Sequence, residues 1–293
     1  MARIQYETHK FKQSTLATIA QANSIITEYH QQDLTLTLRQ LYYQLVARGL
    51  LDNKQKEYKR LSAVLVKARR AGLVDWNAIV DRTRATYSRT RWDNPAQILV
   101  AAVDSYHEDW WTQQPYRVEV WIEKDALAGV IAQPCHDYDA PYFPCRGYAS
   151  DSEMWVSAQR LLRHQKAGQM PIILHMGDHD PSGIDMTRDI EERLWMFGVK
   201  ADVKRIALNM DQVRQYNPPP NPAKVSDSRY ATYVRHYGHQ SWELDALDPA
   251  TLRTLIEQEI SSYVEDDRWV DAKEHEESNR DLIRQAAIDI QEE

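Results

Sequence analysis

Apolar residues in the first part of the chain recur at the spacing of amphipathic helices. A first helix is predicted over residues 12–30, and a second over TLRQLYYQLVARG, where Thr35 or Thr37 can cap the start and Gly49 can end the helix. A third helix, YKRLSAVLVKARRAG, ends at Gly72 and carries lysine or arginine along its whole length. The pattern therefore predicts three helices joined by short connections.

After this helical part, short apolar strands alternate with helices. The predicted strands are YRVEVWIE, PYFPCRGYAS, MPIILHMGD and ADVKRIALN. The third of them is almost continuously apolar, which is typical of a strand buried in a parallel sheet. A βαβ series of this kind implies a doubly wound parallel sheet, whose ligands bind at the carboxyl ends of its strands.

These patterns place the chain in the α/β class and divide it into three parts. Residues 1–95 are predicted to form a helical domain of the winged-helix type, and residues 96–115 a linker. Residues 116–293 are predicted to form a parallel α/β domain with a helical C-terminal extension. The acid-rich end of this extension is typical of a solvated helical surface.

The net charge of −7 hides two parts of opposite sign. Residues 1–95 contain 16 Lys and Arg against 8 Asp and Glu, whereas the remainder contains 20 against 35. A helix, a turn and a basic helix outline a module whose second helix enters the major groove, so double-stranded DNA is the predicted partner. The side chains assigned to DNA are Lys59, Arg60, Lys67, Arg69, Arg70, Arg82 and Arg84. The alternative is a solvated basic helix that packs on the rest of the protein.

The N-terminal segment and the cysteines indicate the compartment. The sequence MARIQYETHKFKQSTL lacks the apolar core of a signal peptide, and no stretch approaches the roughly 18 apolar residues of a membrane span. A cytoplasmic protein without membrane contact is therefore expected. Cys135, His136 and Cys145 match no zinc-binding spacing, so the two cysteines are predicted to be reduced, packed thiols.

Two aspartates follow the third predicted strand directly. Asp178 and Asp180 are two residues apart and can point to the same side, and Glu123 ends the first strand. Three carboxylates at one sheet edge would repel one another, and a divalent cation resolves the conflict, so Mg²⁺ is the predicted ligand, with Mn²⁺ as a substitute. The alternative makes Asp178 a turn residue, Asp180 the N-cap before Pro181, and Glu123 an ordinary exposed acid.

These motifs resemble those of a known domain family. IEKDAL with Glu123, and GDHDPSG with Asp178 and Asp180, resemble the glutamate and DxD motifs of the Toprim domain of topoisomerases, primases and certain nucleases, over roughly residues 116–210. The resemblance implies that Glu123 is catalytic as well as a metal ligand. It also implies that Lys124 contacts phosphate, and the alternative for Lys124 is an ordinary surface lysine.

The upstream segment TLRQLYYQLV resembles the catalytic segment of the A subunit of type IIB topoisomerases (topoisomerase VI) and of the related meiotic double-strand-break protein. This resemblance implies that Tyr43 is the nucleophile and that Arg39 is its companion. The helical pattern independently places Tyr42 toward the core and Arg39 beside Tyr43 on a neighbouring face. Arg39 is expected to hold phosphate and to lower the pKa of the Tyr43 phenol from about 10.

The implied reaction is Mg²⁺-dependent DNA cleavage by transesterification, in which the tyrosine of one protomer works with the cation site of the other. A homodimer would be required, and ATP-driven strand passage would need a separate ATPase B-type subunit. The short chain is most similar to reduced A-subunit-like proteins of bacterial mobile elements.

Two other functions remain open at this point: a Toprim nuclease that hydrolyses DNA without a covalent intermediate, and a catalytically silent DNA-binding protein. Glu243 and Asp245 of WELDAL can either approach the cation site or begin a helix.

Overall fold

A four-stranded parallel sheet forms the centre of the protein. The computed structural model describes residues 3–32, 34–79 and 91–292. The strands are β1 (Tyr116–Ile122), β2 (Tyr142–Pro144), β3 (Met170–Met176) and β4 (Asp202–Ala207), in the spatial order β2-β1-β3-β4. β1 and β3 pair in register along their whole length. The predicted parallel sheet and its four strands are confirmed.

Helices cover both faces of this sheet. The covering helices are α5 (Ala128–Asp137) and α10 (Pro249–Ser261) on one face, and α6 (Asp151–Lys166) and α7 (Pro181–Met196) on the other. Every residue of β1 and β3 after the first is buried, because a strand lies on each side of them and helices lie above and below. The chain leaves β1 toward β2 but crosses back to reach β3, so the carboxyl ends of β1 and β3 flank the crevice where sheets of this kind bind ligands.

The N-terminal helices build a second hydrophobic core. They are α1 (Gln13–His30), α2 (Leu38–Ala47) and α3 (Gln55–Arg70), and all three confirm the predicted helices. Thr37, not Thr35, caps α2: its hydroxyl accepts a hydrogen bond from the Gln40 N–H, and the Gln40 side-chain oxygen accepts one from the Thr37 N–H. This reciprocal capping box fixes where α2 begins.

Residues 71–79 follow α3. Residues 80–90, with Arg82 and Arg84, lie outside the described residues. Isolated β-bridges join Gln5 to Ala71 and Leu36 to Ile79. Short β contacts thus connect the end of α3 to the N-terminal segment at Gln5, and the segment before α2 to Ile79.

A C-terminal segment joins the two cores. In the 3₁₀ turn Leu244–Ala246, Ala246 packs with the N-terminal helices, whereas Leu244 packs with the sheet. Close by, the Tyr29 hydroxyl of α1 donates a hydrogen bond to Asp248, which also caps α10. The three N-terminal helices are therefore fastened to the sheet by residues from the far end of the chain.

The region predicted as a linker contains a helix, α4 (Pro95–Ser105), which begins at an Asn94 cap. It packs along α11 (Asp266–Glu292), the charged C-terminal helix that the sequence predicts. Buried Glu276 of α11 accepts hydrogen bonds from the Glu108 N–H at 2.7 Å and from the Trp110 indole at 2.8 Å. The C-terminal helix thus holds the chain in place where it enters β1.

The remaining elements are short. They are α8 (Met210–Tyr216), α9 (Tyr230–Tyr237) and a two-stranded antiparallel pair of β5 (Asn221–Pro222) and β6 (Gln240–Ser241). Cys135 and Cys145 are buried free thiols, as predicted. Among the described residues, no helix combines the length and the apolar character needed to cross a membrane.

The loop from β3 to α7 folds tightly upon itself, and two glycines allow it. A Cβ at Gly177 would lie 2.9 Å from a carboxylate oxygen of Glu123, and a Cβ at Gly183 would collide with the backbone carbonyl of Asp178. Because neither position has room for a side chain, the two glycines bring the loop close to the end of β1.

Gly183→Ala is expected to lower the free energy of unfolding by about 1–3 kcal/mol, because the added methyl group collides with backbone that cannot move independently. At an ordinary helical position alanine would instead stabilise the helix relative to glycine. Urea unfolding checks the prediction, with Ser261→Ala at an exposed position of α10 as the control. A Gly183→Ala protein as stable as the wild type would contradict it.

Candidate active site

The predicted carboxylates lie at the carboxyl ends of adjacent strands. Glu123 follows β1, and its Oε2 accepts a hydrogen bond of 2.9 Å from the Asp178 N–H just after β3. The Asp180 side chain lies at the start of α7, where its Oδ1 accepts hydrogen bonds from the Gly183 N–H at 2.6 Å and from the Ser182 hydroxyl at 3.1 Å. Asp180 is thus the N-cap of α7, the alternative that the sequence left open.

Lys124 lies among three carboxylates. Its Nζ is 2.8 Å from Oδ1 of Asp178, 2.8 Å from Oε2 of Glu243 and 3.0 Å from Oδ1 of Asp245. The Leu244 N–H also donates to Oδ1 of Asp178, at 2.7 Å. Glu243 and Asp245, whose role the sequence left open, are therefore part of this site.

The three predicted metal ligands each have protein partners in this arrangement. Asp180 caps a helix, and the Asp178 carboxylate is taken up by Lys124. Within residues 3–32, 34–79 and 91–292, no three His, Cys, Asp or Glu side chains are grouped so as to hold a metal ion. The positive charge at the strand ends comes from the protein itself, and binding of Mg²⁺ stays a prediction.

Arg205 of β4 supplies a second buried cation, which the sequence analysis missed. Its Nη2 donates to the carbonyl oxygens of Gly177 at 2.8 Å and Asp178 at 2.7 Å, and its Nη1 donates to that of Gly183 at 2.8 Å. Burial lowers the pKa of Arg205 to about 10, although the nearby acids oppose this. In the sequence nothing sets Arg205 apart from Asp202 and Lys204, the other charged residues of β4.

His179, between the two aspartates, ties this loop to the C-terminal segment. Its backbone exchanges two hydrogen bonds with Trp242, of 2.8 and 3.0 Å, and its ring lies among Tyr233, Tyr237 and Trp242. Burial lowers the pKa of His179 to about 4, so the ring is neutral at pH 7. Since Glu243 follows Trp242 directly, this bridge brings the WELDAL segment to Asp178.

Burial raises the pKa values of these carboxylates, and the neighbouring cations lower them. Burial raises the pKa of Asp178 to about 7 despite Lys124, and Glu123 and Asp245 add to the rise. Burial, with a contribution from Asp180, also raises the pKa of Glu123. Burial would do the same to Glu243, but Lys124 and Arg39 outweigh it and lower the Glu243 pKa to about 2. Glu243 is therefore a carboxylate at every physiological pH.

The Arg39 and Tyr43 pair of α2 lies against these acids. Arg39 forms an ion pair with Glu243, and its Nε is 2.8 Å from Oδ2 of Asp245. The guanidinium carbon is 5.8 Å from the centroid of the Tyr43 ring. Helix α2 thus places the two side chains together, as their four-residue spacing predicts.

Tyr43 is more deeply buried than the helical pattern indicated. Tyr42 and Tyr43 are each 4% exposed, although only Tyr42 was predicted to face the core. Burial and the charges of Glu243 and Asp245 raise the Tyr43 pKa to about 12, because Arg39 offsets only part of their effect. The expectation of a lowered phenol pKa is therefore wrong for this arrangement.

A polar cleft opens beside the two tyrosines. It has a volume of about 340 Å³ and lies between α2, the start of α3 and the WELDAL segment. Its walls are formed by Arg39, Tyr42, Tyr43, Asn53, Gln55, Tyr58, Asn221 and Glu243. The lining combines aromatic rings, amides, one guanidinium and one carboxylate, which suits a polar ligand better than an apolar one.

Helix α3 carries an exposed basic stripe. Its members lie on one side of the helix and are Lys56, Lys59, Arg60, Lys67 and Arg70. Arg60 is paired with Glu57 and Arg70 with Glu7, whereas Lys59 and Lys67 have no ion pair among the described residues.

One residue predicted to bind DNA lies elsewhere. Arg69 stacks on Trp76, with its guanidinium carbon 4.9 Å from the ring centroid, and donates to the Trp76 carbonyl. Its hydrogen bonds to its own chain leave it outside the exposed stripe. Arg82 and Arg84 lie outside the described residues.

Comparisons with protein-family models, with curated proteins and with solved structures found no match for this chain. The resemblance of its motifs to the Toprim and topoisomerase VI families therefore stays a prediction.

Lys124→Met is expected to increase the affinity for Mn²⁺ by at least about tenfold, or about 1.4 kcal/mol, because it leaves Asp178, Glu243 and Asp245 without their shared cation. Isothermal titration calorimetry at neutral pH measures the change. Lys204→Met, which removes an ion pair with Glu259 on α10, is the control. Equal Mn²⁺ affinities of Lys124→Met and the wild type would contradict the prediction.

Proposed function

We propose that this chain is a DNA-binding and DNA-cleaving protein similar to the topoisomerase VI A subunit, with Tyr43 as its nucleophile. One observation carries the proposal: Arg39, which lies beside Tyr43 on α2, belongs to one ion-pair network with the strand-end residues Lys124 and Asp178 through Glu243 and Asp245. In this proposal the N-terminal helices are a winged-helix-type module and the sheet is a Toprim-type domain.

The basic stripe of α3 would bind the DNA backbone, because its cations face solvent on one side of the helix. The cleft beside Tyr43 would receive the scissile phosphodiester. Arg39 and Lys124, which border the same acids, would supply positive charge to its oxygens, and the planar guanidinium can bind two of them at once.

The reaction is a transfer of the phosphoryl group from one oxygen to another. Tyr43 loses its phenolic proton, its oxygen bonds to phosphorus, and the bond from phosphorus to the 3′ oxygen breaks. The 3′ oxygen takes up a proton, so the products are a 5′-phosphotyrosyl link and a 3′ hydroxyl. Cleavage of both strands of a duplex would need two copies of the chain.

A second function, DNA binding without cleavage, is favoured by one observation. Tyr43 is almost fully buried and its pKa is raised to about 12, so in this arrangement the phenol is poorly activated. The covalent-trapping experiment below distinguishes the two functions.

Lys59→Ala with Lys67→Ala is expected to weaken DNA binding at low salt and to make it less salt-dependent. Each lost phosphate contact reduces the slope of log K against log salt by about 0.9. Fluorescence anisotropy of a labelled duplex over a series of KCl concentrations measures both effects. The matched control is Lys166→Ala with Lys200→Ala, two exposed lysines near the amino ends of the strands. If both pairs of substitutions change the slope equally, α3 does not bind the DNA.

Tyr43→Phe is expected to abolish covalent capture of DNA, since the nucleophilic oxygen is removed and the ring is kept. Supercoiled or end-labelled DNA is incubated with the protein and Mg²⁺ or Mn²⁺, quenched with SDS, and analysed for protein-linked 5′ ends. Tyr42→Phe is the matched control, because Tyr42 is equally buried but its hydroxyl binds the Lys54 N–H. Free DNA ends that persist in Tyr43→Phe would replace the proposal with metal-dependent hydrolysis.

The pH dependence of the same assay tests whether deprotonation of Tyr43 limits the rate of covalent capture. The phenolate is the nucleophile, and burial with nearby acids raises the Tyr43 pKa to about 12. Below that pKa the phenolate fraction rises about tenfold per pH unit, so the initial rate of capture should rise with pH across the range from about 7 to about 10. A flat profile would show that deprotonation of Tyr43 does not limit the reaction.

A further inference from the structure

The two cations that the proposed function gives to DNA phosphate are already bound to carboxylates. Arg39 contacts Glu243 and Asp245, and Lys124 contacts the same pair at 2.8 and 3.0 Å. A carboxylate and a phosphodiester each carry one negative charge and present two oxygens that accept hydrogen bonds. The WELDAL acids therefore have the charge and the donor partners that a bound phosphate would have.

The two acids differ in how far they can move. The Asp245 side chain is 1% exposed and lies between Arg39 and Lys124 in the interior. The Glu243 side chain is 25% exposed and forms part of the wall of the cleft beside Tyr43. Displacing Asp245 would break a contact in the interior and leave Lys124, which is 17% exposed, with one partner fewer, whereas Glu243 can exchange its ion pairs for water at the cleft.

The backbone on both sides of Glu243 is held in place, but the Glu243 side chain can move. The backbone of the preceding Trp242 is fixed by its two hydrogen bonds to His179, and Leu244 is fully buried in the sheet core. Within the described residues, the Glu243 carboxylate is held only by Arg39, Lys124 and a long contact of 3.4 Å from the Asn221 amide. Rotation of the side chain would thus release the two cations without moving the backbone.

We propose that Glu243 occupies the position of a DNA phosphate and is displaced when DNA enters the cleft, while Asp245 remains as the fixed partner of Arg39 and Lys124. This inference rests on the proposed function and adds an internal competitor to the site. Glu243 weakens binding of any polyanion that cannot displace it.

The test is the DNA affinity of Glu243→Gln, which keeps the shape of the side chain and removes its charge. The matched control is Glu259→Gln, because Glu259 is 27% exposed, is paired with Lys204 at 2.6 Å and lies on α10 away from the cleft. Binding of a short labelled duplex is followed by fluorescence anisotropy over a KCl series, and thermal unfolding is recorded for each variant.

Glu243→Gln is expected to bind duplex DNA about three- to tenfold more tightly than Glu259→Gln, with a salt slope steeper by about 0.9 for each cation released to phosphate. Adding Arg39→Ala to Glu243→Gln should remove most of this gain. If Glu243→Gln does not fold, Glu243→Asp serves instead: it keeps the charge but shortens the reach to Arg39, and it too should bind DNA more tightly than the wild type.

The outcomes separate this inference from the proposed function. Equal DNA affinities of wild type, Glu243→Gln and Glu259→Gln would overturn the inference and leave the DNA-binding function intact. If Glu243→Gln bound DNA and neither the wild type nor Glu259→Gln did, the inference would be supported, because Glu243 would then block binding completely. If none of the three proteins bound DNA, the proposed function would fail, and the inference would fail with it.

Discussion

The ammonium group of Lys124, held among Asp178, Glu243 and Asp245, is the interaction on which the arrangement of this protein depends. Burial alone would lower the pKa of Lys124, but Asp245, Asp178 and Glu243 outweigh it and hold it above its ordinary value. Removing such a charge from water is costly unless the surrounding acids compensate. Because those acids come from the end of β3 and from the WELDAL segment, neutralising Lys124 brings distant parts of the chain together.

Arg39 extends the same charge balance to the N-terminal helices. It meets Glu243 and Asp245 from α2, while Ala246 of the same segment packs into the helical core. Tyr43 packs in that core and also lies beside the two acids, and its burial and their charges both raise its pKa. Proximity to the acids and reactivity of the phenol are therefore opposed in this structure.

Local sequence patterns predicted the elements well and the contacts between them poorly. The apolar runs of β1 and β3 and the Thr37 cap are local signals, and each appears where expected. Arg205 can donate hydrogen bonds to the loop after β3 only because β4 lies beside β3. The order of the strands is determined by the whole chain and not by the sequence around Arg205. The acid Glu243, which contributes to the raised pKa of Tyr43, lies 204 positions from Arg39, and no helical pattern around Tyr43 can show its approach.

The placement of the C-terminal segment also determines the order in which the protein can fold. Arg39 and Glu243 are separated by 204 positions, and Glu108 and Glu276 by 168. A nascent chain can form α1 to α3 and their core early, but it cannot dock them on the sheet until the last fifth of the sequence has left the ribosome. Until then Arg39 is without Glu243 and Asp245, so during synthesis the basic helices and the unpaired Arg39 are open to any polyanion nearby.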